Sequence, residues 1–388
     1  MFSAGWPAKE PRPMSEVNTS DFNLADLARM NQDEAARQMS ICNACRYCEG
    51  LCAVFPAMEL RRAFAGEDVD YLSNLCHNCG ACYDACQYAP PHEFGVNVPQ
   101  AMADLRENSY QRYVWPAAFA GLFQRNAFWI GLTAVVFVAA FITGVIGWHA
   151  AGAMFATYTG DGAFYRLIPH GVLVAIFGAL LGYAVLAMAL SVRRFWRASH
   201  SGEALEPGSI GQAIRDTATL RYLHGGGPGC TGVSGRPSDH RRWCHHATAY
   251  GFLLCLASTS LATVCHYLGY EAPYAIWHPV VILGVLGGIG LIAGPIGLLT
   301  GRPASARSRN RSADIGLVFI VMLLATSASG LAVLVLRATP AMGLALTIHL
   351  GIVAALFISL PYGKFVHGLH RVAALVRHAH EQRAAARH

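Results

Sequence analysis

Six stretches without a single Asp, Glu, Lys or Arg fill the last two thirds of the chain, at 126–160, 167–192, 243–270, 272–301, 315–336 and 338–363. Each holds the roughly 20 residues that a helix needs to cross a bilayer. Composition agrees, since 54% of the 388 residues are apolar and 13% are charged, against about 25% charged in an ordinary soluble domain. A cytosolic globular enzyme is excluded on these grounds. The net charge of +6 says less than the places where the basic residues fall, and nothing in their pattern supports a nucleic-acid partner.

Lys and Arg in the connections orient the spans. On the side of the N-terminal region, residues 101–125 hold three, 192–243 hold eight, 301–313 hold four and the tail from Lys364 holds five; on the other side stand only Arg166 and Arg337. Twenty against two is a strong positive-inside bias, which places both termini of a multi-pass protein in the cytoplasm; the expected location is a bacterial cytoplasmic (inner) membrane. The expected divisions are a polar leader at 1–41 ending in an amphipathic helix, a soluble domain at 42–100, an interfacial linker at 101–125, a six-span membrane domain at 126–363 and a basic cytoplasmic tail at 364–388. The leader lacks the apolar core of a signal peptide. The tail reads as a frayed helix on the membrane surface. Within the membrane domain, the cytoplasmic connection 192–243, with its run GGGPG and Cys230, reads as a flexible loop, or else as a flavoprotein docking surface or quinone-site lid.

Eight of the twelve cysteines fall in two runs of one register, Cys42-x2-Cys45-x2-Cys48-x3-Cys52 and Cys76-x2-Cys79-x2-Cys82-x3-Cys86. Four thiolates at this spacing hold the irons of a [4Fe-4S] cube, and in two-cluster ferredoxins the fourth cysteine of each run crosses to the other cluster. The expected sets are Cys42, Cys45, Cys48 with Cys86, and Cys76, Cys79, Cys82 with Cys52. Zinc also accepts CxxC pairs, but the repeated x2-x2-x3 pattern exceeds what a tetrahedral ion requires. No Pro directly follows Cys52 or Cys86, which favours a helical ferredoxin over a compact β-containing one. The fold class is therefore all-α: a helical two-[4Fe-4S] ferredoxin-like domain followed by a six-helix transmembrane bundle. No catalytic carboxylate pair, Ser-His-Asp set or dinucleotide fingerprint accompanies the cysteines, so the chain reads as a carrier of electrons without substrate chemistry of its own.

Histidines inside spans are costly unless they bind something or meet a partner. His349 and His367 are 18 residues apart, five full turns of a straight helix at about 100° per residue, although Pro361 bends it. His245 and His266 lie within about 60° of one face on the third span. Because the third and sixth spans run in opposite directions, His245 can face His367 near the cytoplasm and His266 can face His349 nearer the outside. Bis-imidazole ligation of one or two b-type haems follows from that arrangement; the alternative is interfacial histidines hydrogen-bonded to headgroups. His149, His170 and His278 are further outer-side candidates, and Cys244, Cys255 and Cys265 read as small apolar residues.

The paired cysteine runs, together with RRWCHHATAYGFLLCLASTSLATVCHYLGYEAP, GGIGLIAGPIGLL and PAMGLALTIHLGIVAALFISLPYGKFVHGLHR, resemble the tricarballylate utilization protein B (citrate utilization protein B) family over Cys42 to about Ala374. The last span is also similar to that of the respiratory nitrate reductase gamma subunit, whose matching histidines bind two b haems. The family resemblance implies a protein that reoxidises the reduced flavin of a cytoplasmic FAD-dependent partner, tricarballylate dehydrogenase, and delivers electrons to quinone in the respiratory chain. The competing reading is a redox-sensing or regulatory membrane iron-sulfur protein, whose clusters report oxidation state and whose helices anchor or signal.

Overall fold

The computed structural model describes residues 24–123, 125–200, 202–224, 229–231, 237–301 and 311–387. The leader before Leu24, most of GGGPG and the basic residues Arg302, Arg307 and Arg309 lie outside the described residues.

Five helices make the front domain: α1 (Leu24–Cys45), α2 (Val54–Glu59), α3 (Gly66–Leu75), α4 (Ala81–Asp84) and α5 (Val98–Tyr113). The start of α5 is written in the sequence, because Asn97 caps it by accepting from the Gln100 N–H at 3.2 Å and Pro99 fits its first turn. Met39, Phe55, Met58, Tyr71, Leu72, Leu75 and Met102 fill one core between α1, α2, α3 and α5. This core moves the expected boundary at residue 100. Ala101, Met102 and Leu105 are buried, Arg106 is 6% exposed, and its Nε donates to the Ser73 carbonyl at 2.7 Å. The stretch read as an interfacial linker is therefore domain interior as far as Tyr113, whose hydroxyl donates to Asp70 at 2.9 Å.

The chain then crosses as α6 (Asn126–His149), passes the short α7 (Ala163–Leu167), returns as α8 (His170–Ser199) and runs through α9 (Ser209–Ala218). A two-residue ladder of β1 (Cys230–Thr231) and β2 (Pro237–Ser238) precedes α10 (His240–Tyr267), α11 (Pro279–Thr300), α12 (Arg311–Leu336), α13 (Met342–Ser359) and α14 (Val366–Ala385). Six helices are long and apolar enough to cross a membrane, the last stretch running on from α13 into α14. Val135, Leu253, Ile289 and Val335 stand exposed on them, as lipid-facing residues should. α11 lies against α10 so closely that a Cβ on Gly287 would meet the Cys255 nitrogen and the Gly251 carbonyl oxygen at 2.8 Å, the close approach that small residues permit between membrane helices.

Two expectations change in the last segment. His349 and His367 do not share one continuous helix, because α13 stops at Ser359, a 3-10 turn covers Leu360–Tyr362, and α14 starts at Val366. Pro361 has no N–H to continue the ladder. Nor does the tail fray on a membrane surface. α14 packs against α3, α8 and α9, with His370, Ala374, Leu375, His378 and Ala379 buried.

Candidate functional site

Two cavities in the front domain are lined by cysteines drawn from both runs. The first, of about 250 Å³, is walled by Cys42, Cys45, Cys48 and Cys86 together with Tyr47, Phe55 and Tyr88. The second is walled by Cys52, Cys76, Cys79 and Cys82 together with Val54, His77, Val98 and Tyr222. Each run thus lends its fourth cysteine to the cavity of the other. Backbone geometry helps to produce this: the residue after the second cysteine is left-handed in both runs, Arg46 at φ 56° and Gly80 at φ 84°. Only glycine takes that conformation freely, so the first run carries strain of about 1 kcal/mol at Arg46.

The thiols of each set act on one another. Burial, followed by repulsion from Cys48, Cys86 and Cys45, pushes the Cys42 thiol up to about 12. Burial and then Cys86 and Cys45 push Cys48 up to about 11. Burial first, with Cys76 and Cys79, raises Cys52; burial and then Cys52, Cys76 and Cys79 raise Cys82. Four mutually repelling sulfurs in an apolar wall favour cations that draw their protons off. Among the described residues no three His, Cys, Asp or Glu side chains close on a single-ion site. Eight thiols arranged around two cavities therefore suit polynuclear iron-sulfur clusters better than tetrahedral zinc.

The second cavity sits against the membrane helices. Arg371 of α14 donates to the carbonyls of Asn74 at 3.1 Å and Cys76 at 2.5 Å, and Arg241 of α10 donates to the Asn78 carbonyl at 2.6 Å. His77, next to Cys76, is buried, and its Nδ1 donates to the Leu75 carbonyl at 3.0 Å. Its neighbours explain why it is held neutral: burial first, then Arg371, Arg106 and His245, push it well below the ordinary histidine range. The first cavity faces away, with Tyr47 at its wall 74% exposed.

The four haem candidates fare differently. His245 and His367 come together, their ring centroids 6.0 Å apart and their planes at 73°. His367 Nδ1 donates to the Lys364 carbonyl at 2.5 Å, which leaves Nε2 for another partner, while His245 Nδ1 is buried without one. His266 and His349 take separate partners. His266 stacks on His170 at 3.6 Å with Tyr165 edge-on at 5.0 Å, whereas His349 Nδ1 lies 2.9 Å from Ser329 Oγ, its ring against Gly330. His149 Nε2 reaches the Leu167 carbonyl at 3.0 Å and His278 stacks on Tyr274 at 4.5 Å, so both are satisfied locally. Cys244 and Cys255 pack against the glycine face of α11 as small residues. The reading of the sequence overlooked His77, Arg241 and Arg371. Nothing in spacing marks a residue that works by reaching a backbone carbonyl.

The chain matches two family models, citrate utilization protein B over residues 121–388 and the citrate utilization protein B Fer4-like domain over residues 35–112. It is 46% identical to citrate utilization protein B of Escherichia coli over 354 residues, covering 90% of this chain and 92% of that one. No solved structure matches it.

Proposed function

The chain belongs to the citrate utilization protein B family, and from that premise we propose that it is a membrane-bound electron-transfer protein that reoxidises the reduced flavin of a cytoplasmic partner dehydrogenase, tricarballylate dehydrogenase by resemblance, and delivers the electrons to quinone. The observation that carries this is the crossing of the cysteine runs into two sets in one small domain. Cys42, Cys45, Cys48 and Cys86 would hold one [4Fe-4S] cube and Cys52, Cys76, Cys79 and Cys82 the other; bound there, such cubes supply one-electron transfer without a bound substrate. His245 and His367 would hold the iron of an inner b-type haem, the Lys364 carbonyl engaging His367 Nδ1 and leaving its Nε2 for the metal. The pairing of His266 with His349 as an outer site has less support, since each is engaged elsewhere.

What the residues themselves do follows from their placement. The exposed wall at Tyr47 leaves the first set reachable by a soluble flavoprotein. Arg241 and Arg371 press the second set onto α10 and α14, which carry His245 and His367. Flavin reoxidation releases two electrons and two protons, and a quinone takes up two of each, so the two ends balance through single-electron steps. The positive-inside bias supports a cytoplasmic front domain. Anaerobic purification with iron and acid-labile sulfide counts, EPR and an optical spectrum tests the reading. About eight irons and eight sulfides per chain, with reduced clusters reoxidised by a quinone analogue, are expected; zinc in place of iron would end it.

A further inference from the structure

Cationic charge around the two cysteine sets is lopsided. Three arginines from three helices converge on the carbonyls of one short segment, residues 73–78, that carries Cys76: Arg106 of α5 on Ser73, Arg371 of α14 on Asn74 and Cys76, and Arg241 of α10 on Asn78. Arg106 is 6% exposed and its Nη2 is buried with no partner. Lys364 shares this neighbourhood, and the Glu107 carboxylate acts on it. Guanidinium groups stay protonated at any working pH, and withdrawing several of one sign from water, Arg106 fully and Arg241 and Arg371 in part, is unfavourable unless a negative group answers them. Among the described residues the first set has no equivalent: Arg46, within its run, is exposed and donates to the Asn43 carbonyl at 3.1 Å, where water screens its charge.

We propose that Arg106, Arg241 and Arg371 form a clamp that sets the potential of the second cysteine set, so that an electron entering at the first set comes to rest at the second. The inference rests on the iron-sulfur reading above. A fixed positive charge in a low-dielectric setting favours the state with one more electron, and hydrogen bonding and net charge are established levers on cluster potentials. In the step itself one electron leaves the first set, oxidising its contents by one, and arrives at the second, reducing its contents by one. The partner's reduced flavin replaces the electron and quinone removes it. The same clamp that fastens the front domain to α10 and α14 thereby gives the relay its direction.

EPR-monitored redox titration of the full-length protein in detergent, under argon, tests this on Arg371→Gln, Arg241→Gln and the charge-keeping Arg371→Lys. Cys79→Ser identifies which signal belongs to the second set. In the Gln variants that signal should lose at least tenfold in its reduction equilibrium, a shift of about 59 mV or more to the negative. The first-set signal should stay put, and Arg371→Lys should keep most of the wild-type value. If Arg371→Gln does not assemble, Arg241→Gln at the edge of the clamp gives the same readout. Intact clusters with unmoved potentials, or a shift confined to the first set, would overturn the clamp and reduce the arginines to structural fasteners. A wild-type protein free of iron and sulfide would instead overturn the reading beneath it.

Discussion

Arg61 in the front domain and Glu381 near the end of α14, 320 residues apart in sequence, are joined at 2.5 Å. Around them Arg61 also meets Asp68 at 2.8 Å, Arg377 meets Glu381 at 2.9 Å and Asp68 at 3.3 Å, and the Tyr71 hydroxyl donates to Glu381 at 3.0 Å. Both guanidinium groups lie over the Tyr71 ring, 4.9 and 4.1 Å from its centroid. The Arg61 and Glu381 side chains are only 9% and 17% exposed, so removing one partner strands the other. Glu381→Ala should therefore loosen α14 by about 3 kcal/mol, and Tyr71→Phe by about 1 kcal/mol. Limited proteolysis reads this directly: the C-terminal segment should be cut faster in Glu381→Ala, and equal rates would show that the network holds nothing.

The raised Cys42 and Cys48 thiols, at about 12 and 11, give a pH dependence with a definite sign. In cluster-free protein these groups carry protons at neutral pH, and iron must displace them. Iron and sulfide uptake against a fixed chelator should strengthen by tenfold or more between about pH 7 and pH 8.5. The folded values lie above the ordinary thiol value of 9.0, so the stability contribution is full below about pH 9 and is lost as pH climbs beyond it. A cluster-free protein that instead gains stability from pH 9 upward would contradict the crowding of these sulfurs.

Cys45→Ser and Cys79→Ser should each halve the iron content and remove a different EPR signal, because the two lie in separate cavities. Cys255→Ser should retain full iron, since its sulfur faces Gly287 in the membrane. Loss of both signals from either cluster variant would mean that the sets do not form independently.

Optical spectra separate the histidines. On the proposed inner haem site, His367→Ala or His245→Ala should abolish the haem band, whereas His349→Ala, whose ring is tied to Ser329 and Gly330, should leave it unchanged. Retention of the full band in His367→Ala would remove the inner site from the proposal.

Spans and cysteine sets are legible in the sequence itself. Charge-free length marks a span whatever its neighbours are, and the x2-x2-x3 register marks a crossed cysteine set because three close cysteines cannot complete a cube alone. Arg106 and Tyr113 misled, because a mixture of basic and aromatic groups looks the same whether its partners are headgroups or buried groups such as the Ser73 carbonyl and Asp70. The 60° offset of His245 and His266 describes one helix and says nothing about the neighbour across from it; that neighbour proved to be His170 at the start of α8. Pro361 signals a bend, but only tertiary packing of α14 on α3, α8 and α9 decides how far the chain turns.

The last prediction concerns the helix pair that carries Arg241 and His245. A methyl group at Gly287 would meet Cys255 Sγ at 2.7 Å and backbone atoms of Cys255 and Gly251 at 2.8 Å. A sulfur can rotate away, but a backbone cannot unless α10 and α11 separate. Gly287→Ala should therefore cost about 1–3 kcal/mol, the range for overpacking a tight interface. Gly144→Ala on α6 is the control. Nothing lies within 4 Å of its added methyl, and alanine is favoured over glycine in a helix by about 0.5–1 kcal/mol. Melting in detergent should thus move in opposite directions for the two variants. A Gly287→Ala protein that melts at or above wild type would show that α10 and α11 do not need their close contact.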